Sequence, residues 1–315
     1  MRNDNGIKIF AGTASREFAR KICGHLAVPL GESQVITFSE GNTYVKIGEK
    51  VRGNDVYIVQ TIGIDPNNEF MELLFWIDAF NRASVNSVTV IMPYFSYAKA
   101  DKKDEPRVSI RARVCADCLE AVGVSRVVTM DLHSPQIQGF FRKPVDHLYA
   151  ANIFCDYIKA LELGDYVIVS PDEGFAKNAG YFSHKLNVPL AVGNKRRSAH
   201  DEKAEILNLF GDVSGKTAVI VDDLAISCGT LKEIAAALKK NGAGRIIAFV
   251  SHSPISDKGV EALTDSEIET LYTTDTIYNP KVLSCPKIEI ISVSELFAKT
   301  IKIIHEKDSL GELFL

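Results

Sequence analysis

The chain has 315 residues, of which 46% are hydrophobic and 24% are charged. This composition is typical of a globular protein and excludes a disordered or strongly charged one. The formal net charge is −4, so an overall positive field that would attract nucleic acid or an anionic membrane is absent, and we predict neither partner. At this length, two domains of about 150 residues are expected.

The location of the protein can also be predicted. The first nine residues do not show a basic region followed by a long apolar stretch, so we expect no secretory signal and a cytoplasmic protein. The apolar runs are much shorter than the roughly 20 residues of a transmembrane helix.

The six cysteines are scattered and are expected to remain free thiols. Cys115 and Cys118 have metal-ligand spacing, but without a second pair we interpret them as two helix thiols.

Short β-branched runs alternate with helix-length amphipathic segments along the chain. Such alternation indicates parallel sheets flanked by helices, which is an α/β fold. Residues 231–240 show the helical pattern, with apolar residues three or four positions apart and Asn241-Gly242 as the stop. The predicted strands begin at Asp55, Ser87, Arg126, Tyr166, Thr217 and Arg245.

The two halves of the chain repeat one pattern. A strand at 55–59, a loop, a helix and a strand at 87–92 match the series that starts at Thr217, which indicates an internal duplication. We place the domain boundary near Leu148, so that the domains are 1–148 and 149–315. The sequence leaves open whether the last helix packs back on the first domain.

The sharpest local signal is residues 218–230, which read AVIVDDLAISCGT. An apolar strand ends in Asp222 and Asp223, and a loop of small residues then opens a helix. Such a loop presents N–H groups and hydroxyls to a phosphate at the positive end of the helix, while the acids face sugar hydroxyls or a metal. The alternative is two ordinary acids at a strand end, followed by a helix cap at Ser227 or Thr230.

Further motifs occur in a fixed order along the chain. Residues 92–103 read MPYFSYAKADKK, residues 129–141 read TMDLHSPQIQGFF, and residues 169–174 read VSPDEG. Together with 218–230, these stretches resemble the ribose-phosphate diphosphokinases, also called phosphoribosyl pyrophosphate synthetases. The resemblance covers roughly residues 7–315. It implies two tandem domains of the phosphoribosyltransferase type, the first on the nucleotide side and the second on the ribose 5-phosphate side.

The resemblance also implies a reaction and a set of site residues. The reaction is transfer of the diphosphoryl group of ATP to the C1 hydroxyl of ribose 5-phosphate, with Mg²⁺ held by His133 and Asp172. Lys195 and Arg197 are the catalytic candidates, on a mobile loop that closes over the transferring group. The ATP-binding candidates are Phe38, Glu40, Asn42, Lys99 and Asp101. The ribose 5-phosphate-binding candidates are Asp172, Asp222, Asp223, Ser227, Cys228, Gly229 and Thr230.

Several of these positions depart from the family pattern. Residues 38–42 read FSEGN where the family has Phe-Ser-Asp-Gly-Glu, and Lys99 replaces an arginine whose planar fork binds phosphate in two places. Cys228 replaces a glycine of the phosphate loop. These departures motivate an alternative function, a weak or inactive regulatory paralogue that assembles with a true synthetase.

Two further expectations follow from the resemblance. The family forms homodimers that assemble into hexamers, with the adenine site near a subunit boundary, so a homo-oligomer is expected.

A simple phosphoribosyltransferase is a third possible function, but nothing upstream of the phosphate loop resembles a hood that recognises a nucleobase. Without the other motifs, Lys195 to Arg197 would be interpreted as a solvated basic turn.

Overall fold

The computed structural model describes residues 6–197 and 204–313, which form two compact units. The first unit contains the described residues up to Tyr149, together with Asp275–Tyr278 and those from Ser292 onwards. The second contains the described residues of Ala150–Thr274 and Asn279–Ile291. Among the described helices, none combines the length and the apolar character needed to cross a bilayer.

The strands and helices alternate along most of the chain. The strands are β1 (Ile7–Ala11), β2 (Ser33–Thr37), β3 (Thr43–Ile47), β4 (Asp55–Val59), β5 (Ser87–Met92), β6 (Arg126–Met130), β7 (Val145–Leu148), β8 (Tyr166–Ser170), β9 (Leu190–Arg197), β10 (Ala204–Phe210), β11 (Thr217–Leu224), β12 (Ile246–His252), β13 (Thr270–Thr274) and β14 (Ile288–Ile291). The helices are α1 (Arg16–Leu26), α2 (Pro66–Arg82), α3 (Arg111–Ala121), α4 (Ala151–Ala160), α5 (Ala176–Leu186), α6 (Gly229–Lys240), α7 (Asp257–Thr264), α8 (Pro280–Ser284) and α9 (Ser294–Glu306).

The first unit is built on a parallel sheet with the strand order β1-β4-β5-β6-β7. The residues of β4 and β5 are buried from their second position onwards, which explains why both strands read as continuous β-branched runs. Helix α2 contributes Trp76 and Phe80 to the core, and the ring of Phe80 lies 4.9 Å from that of Phe10 in β1. Strands β2 and β3 form a separate antiparallel hairpin.

The second unit contains a larger sheet with the order β10-β9-β8-β11-β12-β13-β14. Its neighbouring strands are parallel except for β9 and β10, which pair antiparallel as a hairpin. Its core lies between the sheet and helices such as α6, whose Leu231, Ile234, Ala235 and Leu238 are buried at the predicted spacing.

The two sheets share one topology. The order β1-β4-β5-β6-β7 of the first sheet recurs as β8-β11-β12-β13-β14 in the second, and the hairpin β2–β3 corresponds in chain order to β9–β10. This agrees with the duplication predicted from the sequence, and the predicted α/β class with two mostly parallel sheets is confirmed. The residues just before the predicted boundary near Leu148 form β7, the edge strand of the first sheet.

The last helix, α9, packs on α1 within the first unit. The ring of Phe297 is fully buried and meets that of Phe18 edge-on at 5.4 Å between centroids. The imidazole Nε2 of His25 lies 3.1 Å from Ser294 Oγ at the start of α9. Helix α9 therefore supplies part of the core of the first unit, although it follows the second unit in sequence.

The packing of α9 can be tested by truncating its central side chain. We expect Phe297→Ala to lower the free energy of unfolding by about 3–5 kcal/mol, because a buried aromatic ring is replaced by a cavity. The exposed Lys299→Ala on the same helix is the control, and it should change the stability by less than about 0.5 kcal/mol. Urea titrations followed by circular dichroism would measure both, and equal midpoints for the two variants would contradict the described packing.

Candidate functional site

The second sheet has one point at which the direction of strand addition reverses. From β8 the chain goes to β9 on one side, and it later returns to β11 on the other side of β8. The connections that follow β8 and β11 therefore leave in opposite directions, and ligands of open α/β sheets bind in the crevice at such a point. Asp172 lies two residues after the end of β8, and Asp222 and Asp223 lie near the C-terminal end of β11. The structure thus brings the three predicted acids to adjacent strand ends.

The carboxylates at this point destabilise one another. Asp222 is half-buried, and its burial together with the charge of Asp223 raises the pKa of Asp222 well above its usual value. The charge of Asp172 acts in the same direction. Asp222 Oδ1 accepts a hydrogen bond from the Asp223 N–H at 2.9 Å, and Asp172 Oδ1 accepts one from the Phe175 N–H at 3.2 Å. This arrangement favours a ligand that brings hydroxyl donors or positive charge.

A cation at this site would need ligands from outside the protein. Among the described residues, no group of three His, Cys, Asp or Glu side chains is arranged to hold a metal ion. Mg²⁺ commonly binds through one or two carboxylates, with waters and substrate phosphates as its remaining ligands. The hard oxygen donors of Asp172 and its neighbours fit an ion of that kind.

The loop after β11 has the backbone form of an anion site. Helix α6 begins at Gly229, and the residue before it, Cys228, has a left-handed backbone with φ of +53°. Cys228 is the N-cap residue of α6, so neither Ser227 nor Thr230, the two capping candidates from the sequence, occupies the N-cap position. Ser227 is exposed at the tip of the loop, which leaves it accessible to a ligand.

Cys228 occupies the loop without blocking it. Its side chain is 4% exposed and packs into the core of the second unit. Burial raises the pKa of the Cys228 thiol to about 12, with a smaller contribution from Cys285, so the side chain remains a neutral thiol. The Cys228 side chain is therefore accommodated on the core side of the loop, and its backbone has the left-handed conformation that a glycine adopts without strain.

The backbone of Lys195 and Arg197 differs from the expectation. Both residues were predicted on a mobile loop, but they lie in β9, where Lys195 is opposite Ile206 and Arg197 is opposite Ala204 of β10. The prediction of a loop at these two positions was wrong, because the backbone of the basic run continues β9 and pairs with β10. The side chains of Lys195 and Arg197 lie outside the described part of the structure, as do residues 198–203 that connect the two strands.

In the first unit, His133 lies at the carboxyl edge of the sheet. It is exposed and follows β6 by three residues, after Asp131, whose φ is +37°. The segment is held by His147 of β7, whose buried imidazole accepts a hydrogen bond at Nε2 from the Leu132 N–H at 2.8 Å. His147 therefore positions the backbone beside His133. Sequence reasoning missed it, because nothing local distinguishes this residue from any other strand histidine.

The predicted ATP-binding residues lie on two elements of the first unit. Phe38, Glu40 and Asn42 are exposed at the tip of the β2–β3 hairpin, which is closed by a hydrogen bond from the Phe38 N–H to the Asn42 carbonyl at 2.8 Å. Lys99 is exposed at the end of a short 3-10 helix that follows β5, and Asp101 is half-buried just beyond it. The second of these segments lies at the same sheet edge as His133, since β5 and β6 are parallel neighbours.

Comparisons with known proteins cover both units. Residues 7–123 match the family described as the N-terminal domain of ribose phosphate pyrophosphokinase, and residues 197–315 match the phosphoribosyl synthetase-associated domain. The chain is 46% identical over 314 residues to a ribose-phosphate pyrophosphokinase of Caldanaerobacter subterraneus, with 99% of each chain covered. The chain belongs to the ribose-phosphate pyrophosphokinase family.

Other relatives show the same extent of similarity. A ribose-phosphate pyrophosphokinase of Campylobacter jejuni is 41% identical over 98% of this chain and 99% of its own length. The crystal structure of a phosphoribosylpyrophosphate synthetase from Mycobacterium smegmatis superposes with a TM-score of 0.89 at 34% identity, covering 96% of this chain and 99% of that one. Membership in the pyrophosphokinase family thus extends over the loops that carry the candidate residues as well as over the cores.

The carboxylate cluster of the second unit generates a stability prediction. Because the pKa of Asp222 is raised in the folded protein, the folded state binds more protons than the unfolded state above about pH 4. This contribution therefore lowers the stability as the pH rises through that window. We expect Asp222→Asn to raise the melting temperature by a few degrees at pH 7.5, and the gain should shrink as the pH approaches 4.

The control for this measurement is Asp212→Asn. Asp212 is exposed, and its hydrogen bond from Lys216 lowers the pKa of its carboxyl, so its effect on stability has the opposite sign. Thermal unfolding of both variants and the parent chain between pH 4 and pH 8 would test the prediction. A pH-independent loss of stability in Asp222→Asn would show that the carboxylates do not repel one another as described.

Proposed function

We propose that the protein transfers the diphosphoryl group of ATP to the C1 hydroxyl of ribose 5-phosphate, giving phosphoribosyl pyrophosphate and AMP. The observation that carries this proposal is the match, over almost the whole chain, to ribose-phosphate pyrophosphokinases at 46% identity. The acids at the reversal point of the second sheet support it, since they lie where a parallel sheet binds ligands. The simple phosphoribosyltransferase reaction is disfavoured, because residues 7–123 match the N-terminal domain of ribose phosphate pyrophosphokinase.

The second unit is assigned the ribose 5-phosphate. Asp222 and Asp223 accept hydrogen bonds from the ribose hydroxyls, while the loop from Ser227 to Thr230 holds the 5-phosphate at the N-terminus of α6. The N–H groups of a first helical turn have no partners within the helix, and the helix dipole adds positive potential there. The left-handed Cys228 followed by helical residues is a backbone sequence that turns successive N–H groups to one side.

The first unit is assigned the nucleotide. Phe38, Glu40 and Asn42 contact the adenine, and Lys99 and Asp101 bind the remainder of ATP. His133 and Asp172 would hold Mg²⁺, which when bound neutralises charge on the phosphates. His133 is exposed, and Asp172 is half-buried with its Oδ1 accepting the Phe175 N–H.

The reaction is a single displacement at the β-phosphorus. The C1 oxygen of ribose 5-phosphate forms a bond to this phosphorus and loses its proton, and the bond from the β-phosphorus to the oxygen that bridges to the α-phosphorus breaks, so that AMP leaves. Such transfer depends on positioning and charge stabilisation and does not require a covalent intermediate. Lys195 and Arg197, at the end of the β9–β10 hairpin, stabilise the charge that develops on the transferring group.

The assembly is proposed from the family. We infer a cytoplasmic homo-oligomer in which dimers assemble into a hexamer, with the adenine site near a subunit boundary. The exposed Phe38 and Tyr44 support this inference, because they are 45% and 44% accessible and their rings lie 6.3 Å apart on the β2–β3 hairpin. Exposed aromatic pairs of this kind are common where a subunit or a flat ligand is bound.

Release of AMP tests the proposed reaction. Pure protein with ATP, ribose 5-phosphate and Mg²⁺ should release AMP, and omission of the sugar phosphate or chelation of the metal should stop it. Lys195→Ala and Arg197→Ala should each lower kcat about 100-fold or more, as is typical when a cation that stabilises the transition state is removed. Lys46→Ala, an exposed lysine of β3, is the control and should retain activity. Failure of the parent chain to release AMP would overturn the proposal.

The weak or inactive paralogue predicts a different result for the phosphate loop. If Cys228 restricted the loop, Cys228→Gly would raise activity at least tenfold. Because the thiol is buried and the backbone is already left-handed, we instead expect Cys228→Gly to change the KM for ribose 5-phosphate by less than about threefold. Steady-state kinetics of the two proteins would decide, and a parent chain with background activity that Cys228→Gly restores would support the paralogue.

A further inference from the structure

Helix α7 lies directly behind the phosphate loop of the second unit. The Ser256 N–H, at the N-cap of α7, donates a hydrogen bond to the Ile226 carbonyl at 3.0 Å. The Ser256 hydroxyl oxygen lies 3.5 Å from the same carbonyl and accepts the Gly259 N–H at 3.2 Å. One backbone carbonyl of the loop is therefore fixed by the first turn of a helix about 30 residues further along the chain.

Gly259 allows this close approach. A Cβ atom at Gly259 would lie 2.3 Å from the Ile226 oxygen, 3.3 Å from the Ile226 carbonyl carbon and 2.7 Å from Ile255 Cγ2. The nearest obstacle is backbone, which cannot move aside as a flexible side chain does. Gly259 is buried inside a helix, where alanine would be the better helix former, so a glycine is required here by space and not by conformation.

The carbonyl that α7 fixes belongs to the peptide group that also carries the Ser227 N–H. In a trans peptide the carbonyl and the N–H point in opposite directions. Holding the Ile226 oxygen against α7 therefore directs the Ser227 N–H away from α7, on the side of the exposed Ser227. Displacing the oxygen would rotate this N–H and shift the loop that leads into α6.

We propose that Gly259 and the Ser256 N–H are positioning groups that aim the Ser227 N–H at the 5-phosphate of ribose 5-phosphate. This inference rests on the proposed function, because it takes residues 227–230 as the phosphate-binding loop. Neither residue touches the substrate. Both act through Ile226, and their effect is confined to the sugar phosphate, since α7 belongs to the second unit, while the nucleotide is assigned to the first.

Gly259→Ala tests the proposal most directly. We expect it to weaken ribose 5-phosphate binding about 10- to 100-fold, in line with the effect of misplacing a binding group by about 1 Å, while the KM for ATP changes less than about threefold. Gly180→Ala, in α5 of the same unit, is the matched control, because nothing lies within 4 Å of its added Cβ. Titration calorimetry with ribose 5-phosphate measures the binding, and steady-state kinetics measures both KM values.

A pair of variants at Ser256 separates positioning from helix stability. Ser256→Ala and Ser256→Pro both remove the capping hydroxyl, but only proline also removes the N–H that Ile226 accepts, and the Ser256 φ of −80° is compatible with proline. Both should lower the melting temperature, and only Ser256→Pro should weaken ribose 5-phosphate binding, by about tenfold. Equal loss of binding in both variants, or normal binding in Gly259→Ala, would overturn the inference.

The calorimetric readout keeps this inference distinct from the proposed reaction. If the parent chain binds ribose 5-phosphate but releases no AMP, the proposed reaction fails, while selective loss of binding in Gly259→Ala still supports the positioning role. If the parent chain does not bind ribose 5-phosphate at all, the positioning role fails as well.

Discussion

The candidate site depends on the repulsion among three carboxylates that the second sheet gathers at one point. Asp172, Asp222 and Asp223 follow or end the adjacent parallel strands β8 and β11, and the raised pKa of Asp222 reflects both its burial and the charge beside it. A fold optimised for stability alone would not keep this arrangement, because an amide or an apolar residue would relieve the repulsion. The cluster agrees with the proposed binding of the ribose hydroxyls, because hydroxyl donors or a cation would relieve the repulsion between these carboxylates.

The duplicated topology explains why the two halves can differ in function. Both sheets place their loops at the carboxyl edge of parallel strands, but they use different ones. In the first unit the chain after β4 carries buried polar residues such as Gln60 and Thr61, whereas in the second the equivalent strand β11 ends in two acids and an accessible loop. The first unit instead presents His133 after β6 and an exposed hairpin. The same topology therefore carries different side chains at the two sheet edges, in agreement with the proposed assignment of one substrate to each unit.

The parts of the fold that the sequence predicted are those with strong local patterns. The six predicted strands are buried on both faces of parallel sheets, so they read as continuous β-branched runs, and all six are confirmed. Three of the strands that were not predicted, β2, β3 and β7, are different in kind. The hairpin strands β2 and β3 are half-exposed, and β7 has four residues directly after a proline, so their signals resemble those of loops.

The site residues also divide into those that a local sequence motif reveals and those that only contacts between distant segments reveal. The acids and the loop around Cys228 form one continuous segment, and the structure brings Asp172 to them because parallel strand ends share an edge. His147 and Gly259 could not be found in this way. Their importance lies in contacts with Leu132 and Ile226, and in the sequence alone they are an ordinary histidine and an ordinary helix glycine.

The side chain of Cys228 is compatible with the phosphate binding proposed for the loop before α6, because a backbone recognises an anion through its N–H groups. A phosphate held by N–H groups requires certain backbone dihedrals and a fixed direction for each peptide, and it is less demanding about the side chains that point elsewhere. Cys228 keeps the left-handed dihedrals and turns its thiol into the core, while α7 fixes the Ile226 peptide from behind. The left-handed backbone and the buried thiol together leave the exposed side of the loop free of the Cys228 side chain. The constraint on its sequence lies partly at Gly259, outside the motif by which the loop is recognised.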